Sequence, residues 1–144
     1  MADGTETGAA RLTRAQLAEL VDRFMDAWAR HDLEAAMALM AEDAVYDEFN
    51  QTVWRGKAAV REGFLPQFRG DYGDIQFHVE DRFIDADSQQ AMVRWRCTFE
   101  WKGTRRAWRG LDILHFRDGL IVEKLTYAKT ERPLTEVTPL EEGR

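Results

Sequence analysis

The stretch QAMVRWRCTFEW, residues 90–101, runs through the turn KGT, residues 102–104, into RRAWRGLDILHF, residues 105–116, and decides the fold. Apolar and polar side chains alternate along residues 90–101 with a period of two, which is typical of a β-strand. A short turn signal followed by a second strand-like segment predicts an antiparallel hairpin.

The alternation in residues 90–101 separates two faces of this strand. One face consists mainly of large apolar side chains: Ala91, Val93, Trp95, Cys97, Phe99 and Trp101. The other face carries Met92, Arg94, Arg96, Thr98 and Glu100. We expect the apolar face to pack against helices, where its aromatic rings would either fill a core or line a cavity.

Helical patterns precede this hairpin, and further strands flank it. Apolar residues recur at three- and four-residue steps after Thr13, a residue type that caps helix N-termini, and Asp32 can cap a second helix. Pro66 is expected to kink or end a third helix. The predicted order is helix, helix, strand, helix and four strands, at residues 13–31, 33–41, 43–49, 57–68, 75–85, 90–101, 105–116 and 119–130. This order indicates an α+β fold with the helices on one face of a curved antiparallel sheet.

Length and composition favour one globular domain. The chain has 144 residues, of which 44% are hydrophobic and 11% aromatic. We expect a flexible tail at residues 1–12, a single domain at 13–132 and an extension at 133–144. The single cysteine, Cys97, offers neither an internal disulfide nor a zinc motif.

Charge, hydropathy and histidine spacing argue against several kinds of partner: nucleic acid, membranes and metal ions. The net charge of −6 argues against recruitment by nucleic acid or by anionic lipid. No apolar run is long enough to span a bilayer, and the N-terminus lacks the pattern of a secretory signal, so we expect a cytoplasmic protein. The three histidines are scattered without metal-ligand spacing, so no metal site and no cofactor are expected.

Carboxylates in two apolar segments are the candidates for chemistry. Asp47 and Glu48 are neighbours on a predicted strand and therefore point to opposite faces. Alternation alone does not choose between them, although hydrophobicity favours burial of the face that carries Asp47. Asp112 lies on an apolar strand face, where a carboxyl group is either neutralised and able to exchange a proton, or held by a structural partner.

Three segments resemble the nuclear-transport-factor-2-like superfamily, in particular its SnoaL-like polyketide cyclases and its ketosteroid isomerases. They are FMDAWARHDLEAAMALMAEDAVYDEF at 24–49, RGKAAVREGF at 55–64 and GLDILHFRDGLIVEKLTY at 110–127. The resemblance implies a cystatin-like or SnoaL-like cone, a barrel of curved antiparallel sheet wrapped around N-terminal helices that encloses an apolar pocket. It also implies a homodimer formed through the outer face of the sheet.

The resemblance also assigns roles to residues. The proton-shuttling acid of the isomerases falls at Glu48 and the second functional acid at Asp112. Phe24 stands where the isomerases have a tyrosine, which argues against steroid isomerisation, and Tyr46 is the expected substitute donor. The residues expected to bind substrate are Phe24, Trp28, Asn50, Trp95, Phe99, Trp101, Leu114 and Phe116.

Two functions follow from these observations. The first is a cofactor-independent isomerase or cyclase, in which carboxylates move a proton on an apolar, ring-bearing small molecule. The alternative is a non-catalytic module on the same fold that binds a ligand or supports protein assembly. Arg105, Arg106 and Arg109 form a basic patch that is either a solvated rim or the place where an anionic substrate meets the mouth of the pocket.

Overall fold

The computed structural model describes residues 11–132, and the predictions for residues 1–10 and 133–144 lie outside that range. The described chain is built from these elements: α1 Arg14–Ala29, α2 Leu33–Met37, β1 Met40–Asp47, β2 Val53–Arg55, α3 Lys57–Phe68, β3 Gln76–Asp85, β4 Gln90–Trp101, β5 Thr104–Arg117 and β6 Leu120–Lys129. The α+β class is confirmed. None of the helices in this range is both long enough and apolar enough to cross a bilayer.

The six strands form one curved, open sheet in the order β2-β1-β6-β5-β4-β3. Strand β1 lies parallel to β6, and every other neighbouring pair is antiparallel. The sheet therefore differs from the expected antiparallel barrel in two respects, since it is not closed and it contains one parallel pair. Register shifts interrupt the pairing of β3 with β4 and of β5 with β6, and such bulges bend a sheet.

Helix α1 begins as its sequence predicts. The Thr13 side chain accepts a hydrogen bond from the Gln16 backbone N–H, and the Gln16 side chain accepts one from the Thr13 N–H, which forms a capping box. The helix buries one face, consisting of Leu17, Val21, Phe24, Ala27 and Trp28, against the concave side of the sheet.

The residues directly before α1 are held in place. The Arg11 guanidinium donates to the backbone oxygens of Ala86 and Asp87, at 3.2 and 2.9 Å. The Gln89 side chain accepts from the Leu12 N–H and donates to the Leu12 carbonyl. Although the sequence places Arg11 and Leu12 in a flexible tail, both residues are tied to the turn between β3 and β4.

The second helix is shorter than predicted, and the first strand begins earlier. Asp32 caps α2 as expected by accepting from the Ala35 N–H at 3.0 Å, but the helix ends at Met37. The chain then turns into β1 at Met40, which pairs with Ile121 of β6. Pairing with a distant strand outweighs the helical propensity of this apolar run, so the predicted helix through residue 41 was wrong.

Two further features differ from the prediction around the third helix. Strand β2, at Val53–Arg55, was not predicted, because it is a three-residue edge strand held by its pairing with β1. Helix α3 continues through Pro66 to Phe68, although a proline cannot donate a backbone hydrogen bond. The chain after it is held by the Arg69 N–H, which donates to the Leu65 carbonyl at 2.9 Å, and by the Asp71 N–H, which donates to the Pro66 carbonyl at 3.0 Å.

The predicted hairpin forms, and its inward face is the predicted one. Strands β4 and β5 pair antiparallel from Gln90 opposite His115 to Trp101 opposite Thr104. Ala91, Val93, Trp95, Cys97 and Phe99 are all buried. Trp101, at the end of the strand, keeps 43% of its surface exposed.

Gly110 allows the Trp95 ring to lie directly on β5. Trp95 is opposite Gly110 in the pairing, and a Cβ at Gly110 would be only 2.5 Å from the indole and 2.4 Å from the Tyr127 carbonyl oxygen. No side chain fits between these groups, so glycine is required here by space and not by backbone angle.

We predict that Gly110→Ala destabilises the fold by about 1–3 kcal/mol, because the new methyl group must displace the indole or the β6 backbone. Thr104→Ala, at an exposed position of the same strand, is the control and should change stability little. The measurement is the free energy of unfolding by chemical denaturation. Equal stability of the two variants would show that the strand adjusts to the added methyl group.

Candidate functional site

A cavity of about 320 Å³ lies between the concave face of the sheet, the end of α3 and the loop that follows it. Most of its wall is aromatic or aliphatic, and its polar groups are few. Its lining residues are Tyr46, Glu48, Phe49, Gln67, Tyr72, Ile75, Phe77, Trp95, Cys97, Phe99, Trp101, Arg106, Trp108, Lys124, Thr126, Ala128 and Glu131. A volume of this size suits a small organic molecule.

A buried ion pair lies at the floor of the cavity: Lys124 lines the floor, and Asp112 lies directly behind it. Lys124 Nζ lies 3.2 Å from Asp112 Oδ1, and both side chains are about 95% buried. The Thr126 hydroxyl donates to the same carboxylate oxygen at 2.7 Å and accepts from Lys124 Nζ at 2.9 Å. Trp95 Nε1–H donates to Asp112 Oδ2 at 3.2 Å. Both carboxylate oxygens are therefore engaged, and the two opposite charges neutralise each other.

Aromatic rings surround the Lys124 ammonium group. Its Nζ lies 4.5 Å from the centre of the Tyr46 ring, 5.3 Å from that of Trp28 and 5.8 Å from that of Phe64. Cation–π attraction at these distances partly replaces the lost hydration of the ammonium group. The positive charge is thus stabilised by Asp112 on one side and by ring faces on the others.

Glu48 is the carboxylate that faces the cavity. Its Oε1 accepts a hydrogen bond from Trp54 Nε1–H at 2.9 Å, and partial burial raises its pKa above the usual 4.5. The hydrogen bond from Trp54 and the positive charge of Lys124 act in the opposite direction. Gly63 permits this arrangement, because a Cβ there would come within 2.7 Å of the Trp54 indole.

Tyr46 and Cys97 line the cavity as neutral groups. Burial raises the pKa of the Tyr46 phenol well above 10, and the negative charges of Glu48 and Asp112 raise it further. Burial also raises the pKa of the Cys97 thiol to about 12. At neutral pH the phenol can therefore donate a hydrogen bond, and the thiol is protonated and unreactive.

The structure brings together five of the residues that the sequence singles out. Tyr46, Glu48, Trp95, Phe99 and Trp101 all line the cavity. Of the neighbouring acids, Glu48 faces the cavity, whereas Asp47 is absent from its lining and pairs with Val53 and Leu125 in the sheet.

Asp112 lies behind the cavity wall instead of in it. It is 4% exposed and contacts a void of only about 10 Å³, which it shares with Met25, Trp28, Phe77 and Lys124. The expectation that Glu48 and Asp112 both act as acids in the pocket does not fit this arrangement. An ammonium group holds Asp112, and a single carboxylate of the expected pair faces the cavity.

The remaining predicted binding residues lie elsewhere. Phe24, Leu114 and Phe116 belong to the hydrophobic core, and Trp28 lines only the small void beside Asp112. Asn50 is exposed, and its side chain accepts from the Thr52 N–H in the turn after β1. Asn50 would face the cavity only if the alternation of β1 continued to residue 50. The strand ends at Asp47, so it does not.

Sequence reasoning missed the two residues that complete the floor, Lys124 and Thr126. Ile121 and Lys124 are both buried although they are three positions apart, because a register shift interrupts β6 opposite His115 and Phe116. Strict alternation from Ile121 assigns Lys124 to the outer face. The available signal was Lys124 itself, a charged residue in the middle of an apolar strand.

At its floor, the site combines the Glu48 carboxylate, the Lys124 ammonium group and the Tyr46 phenol within apolar walls; Arg106 and Glu131 line the cavity as well. This set can accept a proton at Glu48 and can stabilise negative charge near Lys124 and Tyr46. Within residues 11–132, no group of three histidine, cysteine or acidic side chains is arranged to hold a metal ion.

Comparison with known proteins agrees with this architecture. The family model of the SnoaL-like domain matches residues 21–124, which is well over half of the chain. No curated protein matches the chain in sequence.

Solved structures share the fold over most of the chain. An NTF2-like protein of unknown function from Mesorhizobium loti has a TM-score of 0.70 and 26% identity, covering 81% of this chain and 93% of that one. A protein proposed to be a polyketide cyclase, from Xanthomonas campestris pv. campestris, has a TM-score of 0.70 and 21% identity over 79% and 90%. SalBIII, an epoxide hydrolase/cyclase-like enzyme with a role in pyran ring formation in the polyether salinomycin, has a TM-score of 0.71 and 17% identity over 80% and 92%.

We predict strong thermodynamic coupling between Asp112 and Lys124. Lys124→Met should cost about 3–5 kcal/mol, because it leaves a buried carboxylate without its counter-charge. Combining it with Asp112→Asn should cost much less than the sum of the single changes, as measured in a double-mutant cycle of unfolding free energies. The exposed pair Asp43–Arg117, changed to Asn and Met, is the control and should show little coupling. Additive effects at Asp112 and Lys124 would contradict the role of the pair.

Proposed function

The chain belongs to the SnoaL-like domain family, and on that premise we propose that it is a cofactor-independent isomerase or cyclase. It binds an apolar, ring-bearing small molecule in the cavity and moves a proton with Glu48. The geometry and the charges of the cavity support this reaction class.

The observation that carries this proposal is the environment of Glu48. Its carboxylate faces a cavity walled by aromatic rings and is anchored by the Trp54 indole N–H. Burial raises its pKa, which makes it a better base than a carboxylate in water. Because the Trp54 hydrogen bond already holds the Glu48 carboxylate, less water has to reorganise when the carboxylate accepts a proton.

In the proposed reaction, Lys124 replaces the second functional acid of the ketosteroid isomerases, the role that the resemblance assigned to Asp112. Glu48 removes a proton from a carbon atom next to a carbonyl group, and negative charge develops on the carbonyl oxygen. The Lys124 ammonium and the Tyr46 hydroxyl stabilise that oxygen, and Glu48 then returns the proton to a different atom of the substrate. Asp112 does not exchange the proton; it holds the Lys124 ammonium at the floor of the cavity.

One observation favours a second function, a module that binds a ligand without converting it. Both oxygens of Asp112 are engaged by Lys124, Thr126 and Trp95, so one of the two acids expected to catalyse proton transfer is committed to structure. Under this alternative the cavity binds the same class of molecule, but Glu48 only contributes to affinity.

We predict that the protein accelerates the elimination of nitrobenzisoxazole, an apolar bicyclic compound whose ring opens when a base removes its C–H proton. The N–O bond breaks, a nitrile forms, and the coloured cyanonitrophenolate is measured by absorbance. Glu48→Gln should lower the rate by at least about 100-fold, because the amide cannot accept the proton. Asp47→Asn, a charge-matched change at the neighbouring position outside the cavity, should keep the rate.

The same assay tests the pKa of Glu48. Only the ionised carboxylate accepts a proton, so the rate should rise with pH and reach half its maximum above pH 4.5, since burial raises this pKa. Binding of nitrobenzisoxazole without acceleration over acetate in solution would support the non-catalytic alternative. A rate unaffected by Glu48→Gln would exclude Glu48 as the base.

We also propose that the protein is a homodimer formed through the outer face of its sheet. Four apolar side chains lie in one row across β3, β4, β5 and β6, because the pairing aligns them: Phe83, Met92, Ile113 and Leu125. Phe83 and the nearby Tyr127 are more than half exposed in the single chain. A row of this kind favours association with a second copy.

Ile113→Lys should convert the dimer into a monomer, because it places a charge in the centre of the row. Val53→Lys, on the edge strand β2 where the side chain is 42% exposed, is the charge-matched control and should leave the dimer intact. Sedimentation velocity measures the two states. A wild-type protein that sediments as a monomer at micromolar concentration would contradict the dimer.

A further inference from the structure

Arg106 is the cationic residue at the wall of the cavity that the proposed reaction does not use. It lies on the inward face of β5, opposite Phe99 of β4, and lines the cavity together with Trp108. Its neighbour Arg105 points to the other face of the strand and is exposed. Of the basic patch at Arg105, Arg106 and Arg109, only Arg106 therefore reaches the cavity.

The guanidinium of Arg106 has unused hydrogen-bonding capacity. Its Nε is fully buried, and no atom of residues 11–132 accepts a hydrogen bond from it. A buried donor without an acceptor is unfavourable, and within residues 11–132 the only side chain that accepts from this guanidinium is that of Glu131.

The acceptor that Arg106 does have is loosely held. Its Nη1 donates to Glu131 Oε2 at 3.3 Å, and the Glu131 side chain is 74% exposed. An exposed pair at this distance contributes little, because water competes for both groups. Glu131 also lines the cavity, so its carboxylate occupies the position that a ligand carboxylate would need.

We propose that Arg106 binds a carboxylate group of the ligand, so that the substrate is an apolar ring system with a carboxylate at one end. This inference rests on the proposed function and specifies its substrate class. The Nη1 and Nη2 donors at the end of an arginine form a planar fork that matches the two oxygens of a carboxylate. The ligand carboxylate takes the place of Glu131 at Nη1.

The surroundings of Arg106 strengthen such a contact. The Trp108 ring lies 4.8 Å from the Phe99 ring and 5.3 Å from the Phe49 ring, centre to centre, and all three line the cavity. In the single chain, 32% of the Arg106 side chain is exposed and water reaches it. A ring bound between these walls displaces that water and lowers the local dielectric constant, which makes a charge-assisted hydrogen bond stronger than at the surface.

The position of Arg106 also fixes the orientation of the ligand. Arg106 and Asp112 are six positions apart on β5, about 20 Å of extended chain, and Asp112 lies directly behind the floor. Glu48 lies at the floor end, because the neighbouring Asp47 pairs with Leu125, next to Lys124. A ligand carboxylate at Arg106 therefore directs the ring toward Glu48 and keeps the two negative charges apart.

The test compares naphthalene carboxylate with the uncharged naphthalene carboxamide, which has the same shape. Binding is measured by calorimetry and by the fluorescence of Trp95, Trp101 and Trp108, which line the cavity. We expect the wild-type protein to bind the carboxylate at least about tenfold more tightly than the carboxamide.

Variants identify the group responsible for this preference. Arg106→Met keeps most of the apolar stem and should remove the preference for the carboxylate, whereas Arg105→Met changes the net charge equally and should retain it. Glu131→Gln should tighten binding of the carboxylate severalfold without affecting the carboxamide, because it removes the competing acceptor.

The outcomes separate this inference from the proposed function. Equal binding of the two probes by the wild-type protein, or a preference that survives Arg106→Met, would overturn the role of Arg106 and leave a cavity that binds uncharged rings. Failure of both probes to bind would overturn the role of Arg106 together with the ligand-binding cavity. Tightening of both probes by Glu131→Gln would indicate a steric effect and count against a competing carboxylate.

Discussion

The ion pair between Asp112 and Lys124 is the interaction on which the rest of the site depends. Two opposite charges about 95% buried at the centre of a domain are tolerated only when they neutralise each other and their remaining hydrogen bonds are satisfied. Thr126 and Trp95 supply those bonds. The Trp95 indole can reach the carboxylate because Gly110 leaves room for it, and Trp95 then becomes part of the cavity wall. The charge pair thus determines where the aromatic wall stands.

The cavity has a polar floor and a polar rim separated by apolar walls. At the floor, Glu48 is held by Trp54, which belongs to the short edge strand β2 and packs on Gly63 of α3. At the rim, Arg106 lies near the end of the β4–β5 hairpin. Different strands of the sheet supply the two ends, since Trp54 lies on β2 and Arg106 on β5. The surroundings of Glu48 and those of Arg106 can therefore be changed separately.

The fold class was predictable because its signals are local. Thr13 and Asp32 cap the helices they were expected to cap, and the alternation in β4 gives the buried face correctly as far as Phe99. The errors occur where distant pairing decides the structure. Strand β1 begins at Met40 because β6 pairs with it there, and no property of residues 38–42 alone indicates this.

For the candidate site, the sequence indicated an unusual residue but not its partner. Asp112 stands out because it interrupts an apolar strand face, and it is indeed buried. Lys124, whose charge explains that burial, is displaced from simple alternation by the register shift in β6. Periodicity predicts which face of the sheet a residue occupies only while the register is regular. After a bulge, simple alternation assigns the following residues to the wrong face. The family resemblance led to Glu48, which hydrophobicity alone had not favoured over Asp47.

Cys97 has a consequence for the kind of molecule that the cavity can hold. A carbonyl compound conjugated to a double bond is an electrophile, and a thiolate in the wall would form a covalent adduct with it and block the site. Because burial raises the pKa of this thiol to about 12, its sulfur remains protonated and serves as a soft packing atom. An electrophilic molecule in the cavity would therefore meet a neutral thiol, which reacts far more slowly than a thiolate.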